Sequence, residues 1–213
     1  MHFISEELEE YVANHSQQEP QLLKKLDKET HQKIMQPRML SGHFQGRVLS
    51  MLSKIINPKH ILEIGTYTGY AALCLAEGLQ KNGSLDTIDI NEELVEIQEK
   101  YFNLSKNKNQ ITAYLGDALE IIATLNKKYD LVFIDADKEN YINYYNMIVP
   151  MMNKGGIILS DNVLWSGKVL ETLNPKDLST KALLSYNKLI NEDLRVETVL
   201  LPIRDGLTVT RVL

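Results

Sequence analysis

The 213-residue sequence predicts an α/β protein: a seven-stranded, mostly parallel sheet with helices on both faces, an antiparallel C-terminal hairpin, and a helical N-terminal cap. Three observations carry this. From Lys59 onward short apolar runs alternate with helical segments; the last twenty residues change to two strand-like runs about a tight turn; residues 1–56 show no strand pattern. At this length one domain is expected over 1–213, divided into a cap (1–56) and a core (57–213).

The cap is expected to be helical throughout. Pro20 marks a helix start, Pro37 acts as a breaker, and Phe44, Val48, Met51, Leu52 and Ile55 form the apolar face of the last helix. The core then runs as strand "HILEI", helix 70–81, strand "SLDTID", helix 92–106, strand "ITAYL", helix 117–125, strand "YDLVFID", helix 138–151 and strand "GGIILSD". Strands separated by helices build parallel βαβ units. Beyond a helix at 178–192, "LRVETVLLPIRDGLTVTRVL" supplies two strands about Arg204-Asp205-Gly206.

Composition removes several function classes. Hydrophobic residues at 44% and charged residues at 24% fit neither a disordered chain nor a membrane protein, and no window approaches the roughly 18 apolar residues of a membrane span. The acidic opening "MHFISEELEEYVANH" carries no apolar signal core, so a cytoplasmic location is expected. A net charge of −5 weighs against a broad grip on nucleic acid. Cys74, the single cysteine, lies in the apolar run "AALCLAEGL" and is expected as a buried thiol. The five histidines never fall at the i, i+4 spacing of a helical zinc site.

Ligands of open α/β sheets bind beyond the carboxyl ends of the strands. The first strand ends in "LEIGTYTGY", with Gly65 and Gly69 in the turn, where missing side chains leave a ligand room near the backbone. The spacing is G-x-x-x-G, no Walker lysine follows, and Glu63 would repel a pyrophosphate, so neither a dinucleotide nor a triphosphate fits. The second strand ends at Asp89, placed to accept from a ribose diol. After the third strand, Asp117 in "GDA" serves as a helix N-cap or accepts from an adenine amine. Glu63, Gly65, Asp89 and Asp117 together outline a pocket for an adenosine with a positively charged tail.

The fourth and fifth strands end in "FIDADK" and "LSDN". Asp135, Asp161 and Asn162 would converge as two carboxylates and an amide oxygen, hard donors that suit Mg²⁺. The alternative is that these residues, with Asp137, only make turns, which Asp and Asn favour. Trp165, the single tryptophan, either walls an aromatic pocket or packs as core.

With these residues in place the sequence resembles the class I S-adenosylmethionine (SAM)-dependent methyltransferases, and within them the cation-dependent O-methyltransferases of catechol and caffeoyl-CoA type. The likeness covers nearly the whole chain. It rests on "MLSGHFQGRVLSMLSKIINPKHILEIGTYTGY", "FIDADKENY", "LSDNVLW" and "LPIRDGLTVTRV". The resemblance implies a Rossmann-like fold, SAM as methyl donor, Mg²⁺ or another divalent cation such as Mn²⁺ or Ca²⁺, and a homodimer. It implies Asp135, Asp161 and Asn162 as metal ligands and Asp137 beside the methionine portion of the cofactor. Met39 and Ser41 match positions near the cofactor, Glu63, Gly65, Thr66 and Ala71 match its glycine turn, Asp89 its ribose and Ala118 its adenine. Asp135 also borders the cofactor, and with Lys138, assigned as general base, it forms the catalytic pair.

The implied reaction is methyl transfer to one hydroxyl of a catechol-like small molecule. Two other readings are a tRNA hydroxyuridine O-methyltransferase, as some bacterial relatives are, and a non-catalytic SAM-binding module. The lack of a basic stripe weighs against the first, and the presence of Asp135, Lys138, Asp161 and Asn162 against the second. The plant enzymes have asparagine where this chain has Ser166, and the loop around Arg204 differs, so the caffeoyl-CoA acceptor does not carry over.

Overall fold

The computed structural model describes residues 5–213, with the backbone alone at Glu6. The first four residues of the expected helical cap lie outside this range. Within the described residues the cap is three helices: α1 (Glu6–Asn14), α2 (Gln21–Lys33) and α3 (Gly42–Ile56). Pro20 stands at the N-cap of α2, and Pro37 opens a 3-10 turn over Pro37–Met39, beyond the end of that helix.

The core strands are β1 (His60–Ile64), β2 (Ser84–Asp89), β3 (Ile111–Leu115), β4 (Tyr129–Ile134), β5 (Met152–Asp161), β6 (Val196–Leu201) and β7 (Leu207–Val212). They form one sheet in the order β3-β2-β1-β4-β5-β7-β6. β1 to β5 run parallel, and β7 is antiparallel to both β5 and β6. The order reverses between β1 and β4, which opens a crevice at their carboxyl ends.

Side chains alternate across the sheet, and each face has its own core. Ile61, Leu131, Phe133 and Leu159 pack beneath α2, α3, α4 (Tyr70–Ala76) and α5 (Val95–Leu104). Leu62, Ile64, Val132, Ile134 and Ile158 pack against α6 (Ala118–Thr124), α7 (Tyr141–Ile148) and α8 (Leu178–Glu192). Because both faces are covered, β4 is apolar at every position except Asp130, whose carboxylate instead accepts from the N–H groups of Lys59 and His60. Among the described residues no helix is long and apolar enough to cross a membrane. Cys74 is buried and unpaired, and burial pushes its thiol up to about 12.

Three expectations need correction. The apolar spacing in α3 faces the core only in part: Val48 and Leu52 pack against it, but Met51 and Ile55 are 52% and 73% exposed, whereas Gln45, Gly46, Arg47, Ser50 and Ser53 are buried. Close approach to α4 explains the reversal. A Cβ on Gly46 would stand 2.6 Å from the Tyr70 ring, the Ser53 hydroxyl donates to the Leu75 carbonyl at 2.6 Å, and Arg47 pairs with Glu77 at 2.9 Å. The helix expected over 70–81 stops at Ala76, because Gly78 passes against the α3 backbone, where a Cβ would meet Ser53 C at 2.3 Å. β5 starts at Met152, before the two glycines. Two steps along β4 (Tyr129 to Leu131) are matched by five along β5 (Met152 to Ile157), a bulge that Gly155 accommodates with φ +79°.

Candidate active site

A cleft of about 2220 Å³ runs along the carboxyl ends of β1, β2, β4 and β5, roofed by the cap and by the β6–β7 loop. It exceeds the ~300–1,000 Å³ of a single small-molecule pocket, so there is room for two ligands side by side.

At the switch point Gly65 has φ +100°, and a Cβ there would lie 2.0 Å from the Asp135 carbonyl oxygen. Its N–H donates to the Ile88 carbonyl at 2.9 Å, while the Asp135 N–H donates to Ile64 at 2.9 Å. Gly65 thus brings the tips of β1, β2 and β4 together, and it also lines the cleft. Glu63, Gly69, Thr66 and Ala71 are not on the cleft wall. Gly69 faces the Phe102 ring, Thr66 bonds the Thr87 hydroxyl at 2.5 Å, and Ala71 is buried within α4.

Glu63 lies behind this turn, fully buried. One carboxylate oxygen accepts from the Thr87 hydroxyl and the other, Oε1, has no partner. Burial, reinforced by Asp135 and Asp89 and opposed by the Thr87 bond, pushes this carboxyl up to about 8. A buried carboxylate with an unused oxygen is suited to a ligand cation.

Along the cleft wall Asp89 accepts from the Tyr67 N–H at 2.6 Å and the Asn91 N–H at 2.9 Å. Asp117 is the N-cap of α6, accepting from Leu119 at 2.7 Å and Glu120 at 3.3 Å, and Ala118 follows it on the wall. Asp137 accepts from the Tyr144 hydroxyl at 2.5 Å and the Asn140 amide at 2.6 Å. Met39 and Ser41 line the cap side.

At the ends of β4 and β5 the Asp135 and Asn162 side chains meet at Lys138, while the Asp161 carboxylate accepts from Gln45 and from the Asn162 N–H. The Lys138 ammonium, 8% exposed, donates to Asp135 Oδ1 at 3.1 Å, Asn162 Oδ1 at 2.9 Å and the Tyr141 hydroxyl at 2.7 Å. Its positive charge thus holds two of the three candidate ligands, Asp135 and Asn162, at one point. Asp161, 3% exposed, is pushed up to about 7 by burial and then by Asp135, with the Gln45 bond pulling the other way. Among the described residues no group of three His, Cys, Asp or Glu side chains is arranged to hold a metal ion. The candidate here has two carboxylates and an amide, so its third donor is Asn162. Trp165 both lines the cleft and packs on the core edge; its ring lies 5.8 Å from Lys138 Nζ, and its buried Nε1 has no partner.

Three residues that the sequence did not single out complete the site. Tyr141, one turn after Lys138, donates to the Asp161 carbonyl at 2.9 Å. Gln45 donates to Asp161 Oδ2 at 2.5 Å, and Arg204 donates to Gln45 Oε1 at 2.9 Å. Only Tyr141 had a local signal, its i+3 spacing from Lys138.

A model of the O-methyltransferase family matches residues 13–213. Caffeoyl-CoA O-methyltransferase 5 of Nicotiana tabacum is 35% identical, covering 97% of this chain and 91% of the tobacco protein. Caffeoyl-CoA O-methyltransferase 1 of Arabidopsis thaliana is 32% identical, covering 97% of this chain and 85% of its own. An SAH-bound methyltransferase of Podospora anserina has a TM-score of 0.89 at 26% identity, over 100% of this chain and 98% of the fungal one. The O-methyltransferase of Bacillus cereus in complex with SAH shares the fold, with a TM-score of 0.90 at 24% identity and 97% of each chain covered. The sheet order, the cleft at the switch point and these matches agree: the chain belongs to the O-methyltransferase family and is a SAM-dependent O-methyltransferase.

Proposed function

We propose that the protein transfers the methyl group of SAM to one hydroxyl of a catechol-like pair on a small aromatic acceptor, with a divalent cation at Asp135, Asp161 and Asn162. The observation that carries this reading is the position of Lys138 Nζ, in contact with Asp135 and Asn162 at once. An ion there supplies positive charge that favours the ionised form of an acceptor hydroxyl. Asp135, Asp161 and Asn162 fit Mg²⁺, Mn²⁺ or Ca²⁺ as oxygen donors. The relatives named for caffeoyl-CoA, a phenolic thioester, support an aromatic acceptor.

The remaining roles belong to the same proposal. Glu63 Oε1 receives the ammonium group of the cofactor, Asp89 keeps lone pairs for the ribose hydroxyls, and Ala118 flanks the adenine. Asp137 and the cap residues Met39 and Ser41 border the methionine portion. Trp165 walls the acceptor side. With a cation at the three oxygen donors, the Lys138 ammonium would be displaced from them and the loss of its proton favoured; the free amine would then take the proton of the attacking hydroxyl, with Tyr141 orienting its nitrogen. Methyl transfer needs the acceptor oxygen in line with the sulfonium methyl, so positioning supplies much of the rate. A single methyltransferase unit over the whole chain, a homodimer and a cytoplasmic location complete the proposal.

The test is a methyl-transfer assay over catechols, hydroxycinnamates and undermodified tRNA, with and without chelator. Catechol turnover that EDTA abolishes and Mg²⁺ restores is expected, and EDTA-resistant turnover would remove the cation from the reaction. Lys138→Met is expected to lower kcat by about 10²–10⁴-fold with SAM affinity retained.

A further inference from the structure

The hydrogen bonds around Asp161 continue well beyond it. Oδ1 accepts from the Asn162 N–H at 2.8 Å and Oδ2 from Gln45 Nε2 at 2.5 Å, a contact between residues 116 apart in the chain. Gln45 is 1% exposed, so solvent offers no substitute donor. A side-chain amide fills nearly the same space when flipped, and only its partners decide which end faces which neighbour. Here Arg204 decides. Its Nη1 lies 2.9 Å from Gln45 Oε1, and a guanidinium has donors but no acceptor, so the amide oxygen must face Arg204 and the NH₂ must face Asp161. Arg204 is anchored independently, because the same nitrogen donates to the Ser41 carbonyl and reaches the Leu40 carbonyl at 3.2 Å.

We propose that Arg204 and Gln45 form a positioning relay that holds the Asp161 carboxylate in its ion-binding orientation. The inference rests on the cation site proposed above. Neither residue is a catalytic residue; both act through Asp161. The relay joins three separate parts of the chain: the β6–β7 loop supplies Arg204, α3 supplies Gln45, and the tip of β5 supplies the ligand. It also accounts for a polar side chain buried on the core face of α3. Groups that orient metal ligands typically matter to metal affinity by ~10–100-fold.

Mn²⁺ binding to the full chain, followed by water-proton relaxation, tests the relay on wild type, Gln45→Met, Arg204→Gln and the double variant. SAM affinity is read in parallel by calorimetry. Gln45→Met should weaken Mn²⁺ by about 10–100-fold, while its SAM affinity stays within about twofold of wild type. Arg204→Gln, on an exposed turn where folding is not at stake, should weaken Mn²⁺ by a smaller factor. The double variant should bind no more weakly than Gln45→Met, because Arg204 acts through Gln45. A folded Gln45→Met with wild-type Mn²⁺ affinity overturns the relay, as do losses that simply add in the double variant. If Gln45→Met does not fold, Arg204→Gln decides alone, and unchanged Mn²⁺ affinity there is equally fatal. Wild-type protein that takes up no Mn²⁺ is a different failure, since it removes the cation site itself.

Discussion

A carboxylate with no access to solvent and one oxygen without a donor, as Glu63 is, must either meet a cation or keep a proton. Burial raises it from 4.5 to about 8, so between those pH values the folded chain holds a proton that the unfolded chain has released. The sign follows: the ligand-free protein loses stability through this group as pH rises from about 4.5 to about 8, by up to ~1.4 kcal/mol per pH unit. Thermal melts of wild type and Glu63→Gln across that range should show the slope in the first and its absence in the second. On the proposal that the cofactor ammonium docks at Glu63, binding would reverse the preference and expel the proton. Calorimetry at pH 7 in buffers of different ionisation enthalpy should therefore find proton release on SAM binding to wild type in excess of that for Glu63→Gln, together with weaker binding by the variant. Equal release from both would mean that the ammonium docks elsewhere. At this scale the sequence was legible where polarity interrupts a strand: Asp135, Asp161 and Asn162 stand at the tips of apolar runs, with Lys138 in the turn that follows β4. Gln45 was not legible, because a polar residue within a helix has no local mark to distinguish a solvent face from a partner 116 residues away.

At the scale of elements, α3 and the β1 turn show how backbones that approach closely override periodicity. Counting apolar residues put Met51 and Ile55 on the inner face, but small and polar residues let α3 settle onto α4. Arg47, 5% exposed, holds Glu77 there, and Lys54 and Ser50 bond the same carboxylate. Glu77→Gln should cost about 3 kcal/mol in urea unfolding, because it leaves a buried guanidinium without its charge partner, and Arg47→Met/Glu77→Met should recover most of it. A double variant no more stable than the single one would refute that account. The β1 turn makes the same point about Gly65. The sequence reading gave it the task of admitting a ligand, whereas its missing Cβ is first required by the Asp135 carbonyl. Gly65→Ala should lose at least about 2 kcal/mol and also weaken divalent-ion binding, since any relief moves the residue that carries a proposed ligand. A Gly65→Ala protein with an unaltered urea midpoint would show that the tips of β1 and β4 can separate freely.

For the molecule as a whole, the alternation of strands and helices was written in the chain, but the order β3-β2-β1-β4-β5-β7-β6 was not, because each local run looks the same wherever it sits in the sheet. That order matters for function. It brings the tips of β1 and β4 side by side, and the cleft is completed only when residues near 34–45 of the cap and 202–205 of the β6–β7 loop close over them. A ligand in this cleft binds three distant stretches at once and the unfolded chain not at all, so its free energy becomes stability of the whole fold. Mg²⁺ at about 100 times its Kd should add ~2.7 kcal/mol, a rise in Tm of roughly 5–11 °C for a chain of this size, and SAM should add its own increment. Asp161→Asn should keep the SAM increment and lose most of the Mg²⁺ one. Hydrogen exchange should locate the effect, with both ligands slowing exchange in 34–45 and 202–206 more than along the outer strand β6. If Mg²⁺ raises the melting temperature of Asp161→Asn as far as that of wild type, the ion binds somewhere other than these strand tips, and their convergence serves folding alone.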